Sequence, residues 1–256
     1  MDHQQSVRKQ FGENAQNYVT SPLHAKGDDL AWIQQWLIQR GKDGILLDIA
    51  TGGGHVAQAL APVFDQVIAL DLTPEMLAAA ERFIKEKGHS NVAFQLGDAE
   101  DLPYKAESFD VVTCRIAAHH FPHVRRFVQE VYRTLKKNGV FILADNVTPE
   151  KKELDLFFNE LEKRRDPSHF RAYQKSEWIT MLEKAGFWSE TLVTFKKRFI
   201  FETWCKNMSL PAAKIEELND WILSSNKVIK EFFEVETDGK TVRSFQGQSV
   251  VIIASK

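Results

Sequence analysis

The chain has 256 residues, enough for one large domain or a domain with an added subdomain. Its 33 Lys and Arg against 35 Asp and Glu give a net charge of -2, which argues against a broad surface for nucleic acid or anionic membrane. Two cysteines are too few for a disulfide framework or a thiolate metal cage, no apolar run is long enough to span a bilayer, and the first residues lack the apolar core of a signal peptide. A reducing cytoplasm is the expected compartment, with a monomer or homodimer as the expected assembly.

Residues 1–40 read as two helices. Val7, Phe11, Ala15 and Tyr18 recur at helical spacing, as do Leu30, Ile33, Trp36 and Leu37, and Ser21-Pro22 separates the two sets. They are either helices packed on a sheet edge or a lid, with Tyr18 or His24 reaching into a site. Ile45-Leu-Leu-Asp-Ile49 then reads as a buried parallel strand that breaks into the glycines of Thr51-Gly-Gly-Gly54. His55-Val-Ala-Gln-Ala-Leu-Ala61 fits the helix that follows. Glycines at this turn let a ligand approach the backbone, and the next helix offers unpaired N–H groups beside them. The unit has the form of a nucleotide cradle in an open α/β sheet.

Gln66–Asp71 is a second buried strand ending in an acid, with Thr73 and Pro74 opening a helix that stops near Gly88. Asn91–Leu96 and Ser108–Cys114 are the third and fourth strands. Val124, Phe127, Val128, Val131 and Leu135 line a helix expected to end at Asn138-Gly139, before a fifth strand over Val140–Ala144. Strands alternating with helices predict a doubly wound, mostly parallel α/β sheet. Beyond it, residues 148–184 read as helical with an interruption at 164–169. Residues 190–201 alternate like a strand, 212–234 are helical, and 248–254 form a last buried strand. Thus 1–256 reads as a single domain: an N-terminal helical lid over 1–40, a core over 41–147, and substrate-side helices with terminal strands over 148–256.

Asp48, Asp71 and Asp98 sit in or just after successive strands, whose carboxyl ends line one crevice in such a sheet. A carboxylate after the second strand can accept from two ribose hydroxyls, and one after the third can accept from an adenine amino group. An acid by the glycine turn can face an ammonium or order the loop.

These residues resemble a family. Leu47-Asp-Ile-Ala-Thr-Gly-Gly-Gly54 is similar to the first motif of class I S-adenosylmethionine-dependent methyltransferases, and Asp71-Leu-Thr-Pro-Glu-Met-Leu77 to the second. Gly97-Asp-Ala-Glu-Asp-Leu-Pro103, Phe109-Asp-Val-Val112 and Arg133-Thr-Leu-Lys-Lys-Asn-Gly139 resemble the later ones. The similarity covers residues 44–145, extends weakly through Phe11-Gly-x-x-Ala-x-x-Tyr18, and is greatest to the branch with quinone- and biotin-pathway small-molecule enzymes. It implies a seven-stranded Rossmann-like sheet with helical lid insertions, S-adenosyl-L-methionine as cosubstrate, and methyl transfer to carbon, oxygen or nitrogen of a small molecule.

The same resemblance implies site residues. Ala50, Gly52 and Gly54 would line the methionine part, with Asp48 and Thr51 of the same motif among the cofactor residues. Asp71 would hold the ribose, Leu72 and Met76 would lie against adenine, and Asp98 and Ala99 would read its edge. Arg115 opens a stretch that would pass beneath the reacting centre. Ala50 departs from the family's usual glycine, so its methyl group would crowd the carboxypropyl end. His119 and His120, just past the fourth strand, are the candidate catalytic bases should the acceptor have to lose a proton, against a structural reading as a packed pair. No metal site is expected, because Pro122 breaks the helix that would align His119 with His123.

Arg164, Arg165, His169 and Arg171 read either as an anion-binding group or as a face paired with Glu160, Glu162 and Asp166. Trp178, Trp188, Trp204 and Trp221 are expected to pack helices. A short-chain dehydrogenase is the first rival, because Tyr132-x-x-x-Lys136 has its spacing, but the glycine pattern that family favours is missing. A nucleic-acid or protein methyltransferase is disfavoured because Cys114-Arg-Ile-Ala117 stands where an Asn/Asp-Pro-Pro-aromatic motif would be. A non-catalytic cofactor binder is the third, with Ala50 as its main support.

Overall fold

The structure is a computed structural model that describes residues 3–20, 27–41 and 43–256, without the side chains of 13, 16–18 and 20. The Tyr18 side chain, His24 and the Ser21-Pro22 break lie outside the described residues.

Helices α1 (His3–Thr20) and α2 (Asp28–Arg40) precede β1 (Ile45–Ile49), α3 (His55–Leu60), β2 (Gln66–Asp71) and α4 (Pro74–Glu86). Then come β3 (Val92–Leu96), β4 (Phe109–Arg115), a short 3-10 turn (Ala118–His120), α5 (Val124–Thr134) and β5 (Leu135–Thr148). The rest comprises α6 (Lys152–Arg165), β6 (Tyr173–Gln174), α7 (Lys175–Ala185) and β7 (Trp188–Ile200). It closes with α8 (Phe201–Lys206), α9 (Ala212–Ser224), α10 (Lys227–Phe232), β8 (Glu236–Thr237) and β9 (Val242–Ser255).

The main sheet runs β3-β2-β1-β4-β5-β9-β7, with β6 on β5 and β8 on β9. β1 pairs parallel with β2 and β4, whereas β9 runs antiparallel between β5 and β7. This is the expected doubly wound, mostly parallel α/β fold with seven principal strands. The chain reverses direction across the sheet at β1 and β4, and that switch point opens a crevice at their carboxyl ends. Leu46, Leu47 and Ile49 are fully buried because helices cover both faces. Phe127, Val131, Trp178 and Leu182 of α5 and α7 pack one face, and Leu30, Ile33, Val56 and Leu60 of α2 and α3 pack the other. A separate apolar cluster joins α6, α8, α9 and α10 to the distal halves of β7 and β9, through Phe158, Phe199, Trp204, Ile222 and Phe245.

Two boundaries differ from expectation. Helix α5 ends at Thr134, and Leu135 already pairs with Phe109 in β5. The amides of Glu107 and Ser108 take the carbonyls of Arg133 and Thr134 at 3.0 and 2.7 Å, so another helical turn has no free acceptors there. Tyr132 and Lys136 therefore do not share a helix face: Tyr132 packs on Phe187, and Lys136 pairs with Asp110 at 2.8 Å. The expected helix over 212–234 is two, because extended Asn226 caps α10 by accepting the Ile229 N–H at 3.0 Å.

Candidate active site

The glycine turn is pinned to β2. The Thr51 N–H donates to the Leu70 carbonyl and the Gly52 N–H to Asp71 Oδ2, both at 2.9 Å. Asp71 Oδ1 accepts from the Thr73 N–H at 2.9 Å, and its carboxyl is raised in pKa by burial, against the pull of these amides. Asp48 is tied to the loop. It accepts from Thr51 Oγ1 at 2.6 Å and Thr113 Oγ1 at 2.8 Å, and burial pushes its pKa up to about 6.

Ala50 sits at φ 52, in the left-handed region, so the usual glycine at this position answers a backbone demand as well as cofactor clearance. Gly54 caps α3 at φ 81, and a Cβ there would come within 2.9 Å of Ile84 and 3.0 Å of Ala80. Its requirement is set by the packing of the turn on α4.

A cavity opens at the switch point. Asp48, Ala50, Thr51 and Gly52 form its floor, Asp71, Leu72 and Met76 one wall, and Asp98 and Ala99 the next. Arg115, Ile116, Ala117 and His120 close the side toward β5. Helix α1 adds Val7 and Phe11 together with His3 and Gln4, the last two not marked by the sequence. Gln4 Nε2 donates to Asp98 Oδ2 at 2.7 Å, His3 Nε2 lies 2.8 Å from the His120 carbonyl, and Phe11 meets the His120 ring edge-on.

The two histidines part company. His119 Nδ1 lies 2.6 Å from Asp145 Oδ1, and its own N–H donates to Asp145 Oδ2 at 3.0 Å. Burial disfavours its charge, but Asp145 prevails and raises its pKa. His120 lies with Nδ1 2.9 Å from the Ser168 carbonyl, and burial beside His119 lowers it to about 4. His169, 3.0 Å from the Asn159 side-chain oxygen, is lowered to about 2 by burial and by its two histidine neighbours. One imidazole of the three is thus built to carry a proton.

Arg115 lines the cavity at the end of β4, and its guanidinium grips Asp29 of α2 through two hydrogen bonds of 2.7 and 2.8 Å. The basic group at 164–171 resolves into pairs: Arg164 with Glu160, Arg165 with Glu162, and Arg171 with Asp155 and Glu177. Trp178, Trp204 and Trp221 pack in apolar clusters, and Trp188 is 74% exposed. No helix among the described residues is long and apolar enough to cross a membrane.

The residues present fit an adenosyl cosubstrate. Asp71 ends its strand at the cavity, and each of its oxygens, with one backbone N–H bonded, keeps a lone pair for a diol. The turn above Gly52 needs φ 55, a conformation that brings backbone rather than side chain to the cavity.

A model of the methyltransferase domain matches residues 47–143. The chain is 39% identical over 208 residues to the uncharacterized methyltransferase YcgJ of Bacillus subtilis, covering 81% of this chain and 82% of that one. The crystal structure of YcgJ superposes with a TM-score of 0.85 at 34% identity, over 89% of this chain and 97% of that one. A candidate methyltransferase from Bacillus halodurans gives 0.84 at 46% identity, over 87% and 98%. The chain belongs to the class I S-adenosylmethionine-dependent methyltransferases. It is also 28% identical over 208 residues to the ubiquinone/menaquinone biosynthesis C-methyltransferase UbiE of Brucella canis, covering 71% of this chain and 77% of that one.

Proposed function

We propose that the enzyme methylates a small organic acceptor held between the carboxyl ends of β4 and β5 and the helices of 148–235. The observation that supports this is a cavity lined by residues of the motifs at 47–54, 71–77 and 97–103 together with His120, with α1 along one side. The kinship with UbiE, a C-methyltransferase of quinone biosynthesis, points the same way.

S-adenosylmethionine supplies an activated methyl group, so the protein's task is to bind, align and exclude water. In this reading Asp71 holds the ribose hydroxyls, Leu72 and Met76 flank adenine, and Asp98 with Ala99 reads its edge. Ala50, Thr51 and Gly52 present backbone to the methionine part. Asp48 braces the turn from below and Gly54 fixes it on α4. Arg115 holds α2 against the acceptor side. Neutral His120, which lines the cavity, is the candidate to take a proton from the acceptor, and His119 is held by Asp145.

Calorimetric titration with S-adenosylhomocysteine tests the assignment. Micromolar binding is expected, reduced at least tenfold by Asp71→Ala, a loss of about 1.4 kcal/mol. Unchanged affinity in that variant would remove Asp71 from the site.

A further inference from the structure

A second groove lies beside the cavity at the switch point, and the proposed function does not use it. Pro122 lines both spaces. His123, Val124, Arg125 and Arg126 at the start of α5 line the groove together with Met181 and Lys184 of α7 and with Tyr173. Its volume, about 670 Å³, falls in the range of small-ligand sites.

Donors outnumber acceptors here. Helix α5 opens without a side-chain cap, and the amides of Val124 and Arg125 have no acceptor among the described residues. His123 donates its N–H to Glu100 Oε1 at 2.6 Å, but Glu100 itself lines the neighbouring cavity. Arg126 pairs with Asp101 at 3.4 Å, whereas the side chains of Arg125 and Lys184 form no ion pair or hydrogen bond among the described residues. The acid that lines the groove, Glu177, is taken by Arg171 at 3.0 Å and by the Gln174 N–H at 2.9 Å.

A buried hydroxyl joins this set. Tyr173 is only 9% exposed. Its ring meets Trp178 edge-on at 5.3 Å and lies 5.5 Å from the Arg171 guanidinium. Its hydroxyl, which opens on the groove, makes no hydrogen bond among the described residues. Burial pushes its pKa up to about 12, so it stays a donor. Such a hydroxyl is costly to bury unless a ligand accepts from it.

We infer that this groove is a phosphate-binding site. A phosphate presents three outer oxygens in a tetrahedron, so backbone amides, guanidinium, ammonium and phenol can meet it from different sides. A planar carboxylate offers only two. The phosphate is either free or carried by an organic ester, for which Pro122, Val124 and Met181 supply an apolar bed. The site stands whether or not methyl is transferred in the cavity next to it.

Calorimetric titration of the full chain, with S-adenosylhomocysteine filling the adenosyl side, tests this with inorganic phosphate, phenyl phosphate, benzoate and benzyl alcohol. Phenyl phosphate is expected to bind at least about tenfold tighter than benzoate or benzyl alcohol. An ester that binds tighter than inorganic phosphate identifies an organic phosphate, and equal affinities identify the free ion. Arg125→Gln combined with Lys184→Gln should weaken phenyl phosphate at least about tenfold, and Tyr173→Phe by about fivefold. Both cations are exposed and phenylalanine keeps the ring packing, so these variants should fold. Arg243→Gln removes a cation that does not line the groove and should change nothing. The phosphate site is overturned if benzoate or benzyl alcohol binds as well as phenyl phosphate, if the double variant or Tyr173→Phe keeps wild-type affinity, or if neither phosphate binds. Failure to bind S-adenosylhomocysteine would instead overturn the cofactor reading, and the same titrations of the free chain would still decide the groove.

Discussion

The two sides of the crevice handle buried acid differently. Toward β1, β2 and β3, Asp48, Asp71 and Asp98 accept from threonine hydroxyls, backbone amides and the Gln4 amide. Toward β4 and β5, Asp29, Asp145, Asp155 and Glu162 each meet an arginine or a histidine. Uncharged donors hold a carboxylate in place while leaving its charge to be met by a neutral diol or amine. Cationic partners cancel the charge and fix the wall. The first arrangement suits a ligand that brings hydroxyls, and the second suits one that is sorted by its charge.

Removing one member of a charged pair should therefore cost most. Arg115→Met strands Asp29 in a site where the two side chains are only 5% and 11% exposed. A loss of about 3 kcal/mol or more in denaturant unfolding is expected, with much of it recovered by adding Asp29→Leu. A double variant no better than the single would show that the pair is not what holds α2.

On the uncharged side the sign should reverse. The Asp48 carboxyl, raised to about 6, favours the folded state when protonated. Its contribution is full below pH ~4, the unfolded value, and is lost as pH rises through about 6. Asp48→Asn should flatten this fall and raise stability at neutral pH by about 2 kcal/mol. Stability that instead increases with pH across that window in the wild type would contradict the assignment.

A smaller effect is expected at the histidine. Asp145 raises the His119 pKa, so the charged pair stabilises the fold below the ordinary imidazole value and this is lost as pH rises through the raised one. Asp145→Asn should bring the ring titration, followed by NMR, down, and an unmoved titration would contradict the pairing. His120 and His169 should remain neutral throughout the same range. The least effect belongs to Ala50→Gly. Relief of the left-handed backbone and greater freedom of the unfolded chain oppose each other, and unfolding should change by less than about 1 kcal/mol. S-adenosylhomocysteine affinity should barely move, and a large gain would show that the methyl group, not the backbone, was the obstacle.

This contrast also explains what could be read from the residues. The cofactor-side acids lie beside the strand ends and glycines that position them: Asp48 is bonded three residues away at Thr51, and Asp71 two residues away at Thr73. Strand periodicity and local spacing therefore expose both the alternating strands and helices and this half of the crevice. The other half is joined over distance. His119 and Asp145 are 26 residues apart, and Arg115 and Asp29 are 86 apart. Nothing in local spacing selects those partners, so His119 and His120 look alike in the sequence while the fold gives them opposite proton affinities. A lid over 1–40 is expected from the sequence, but not the residues with which α1 reaches the crevice, since Gln4 meets an acid 94 residues away. The end of α5 was misread because its last carbonyls are taken by a preceding loop, an event that helical periodicity does not record.

The distal halves of β7 and β9 carry an apolar cluster of their own, apart from those that pack the sheet. Two insertions, after β5 and after β7, meet on that one hairpin. The hairpin thus works as a socket: both insertions plug into it through their own apolar cluster, so their helices can change together without disturbing the strands that carry Asp48 and Asp71.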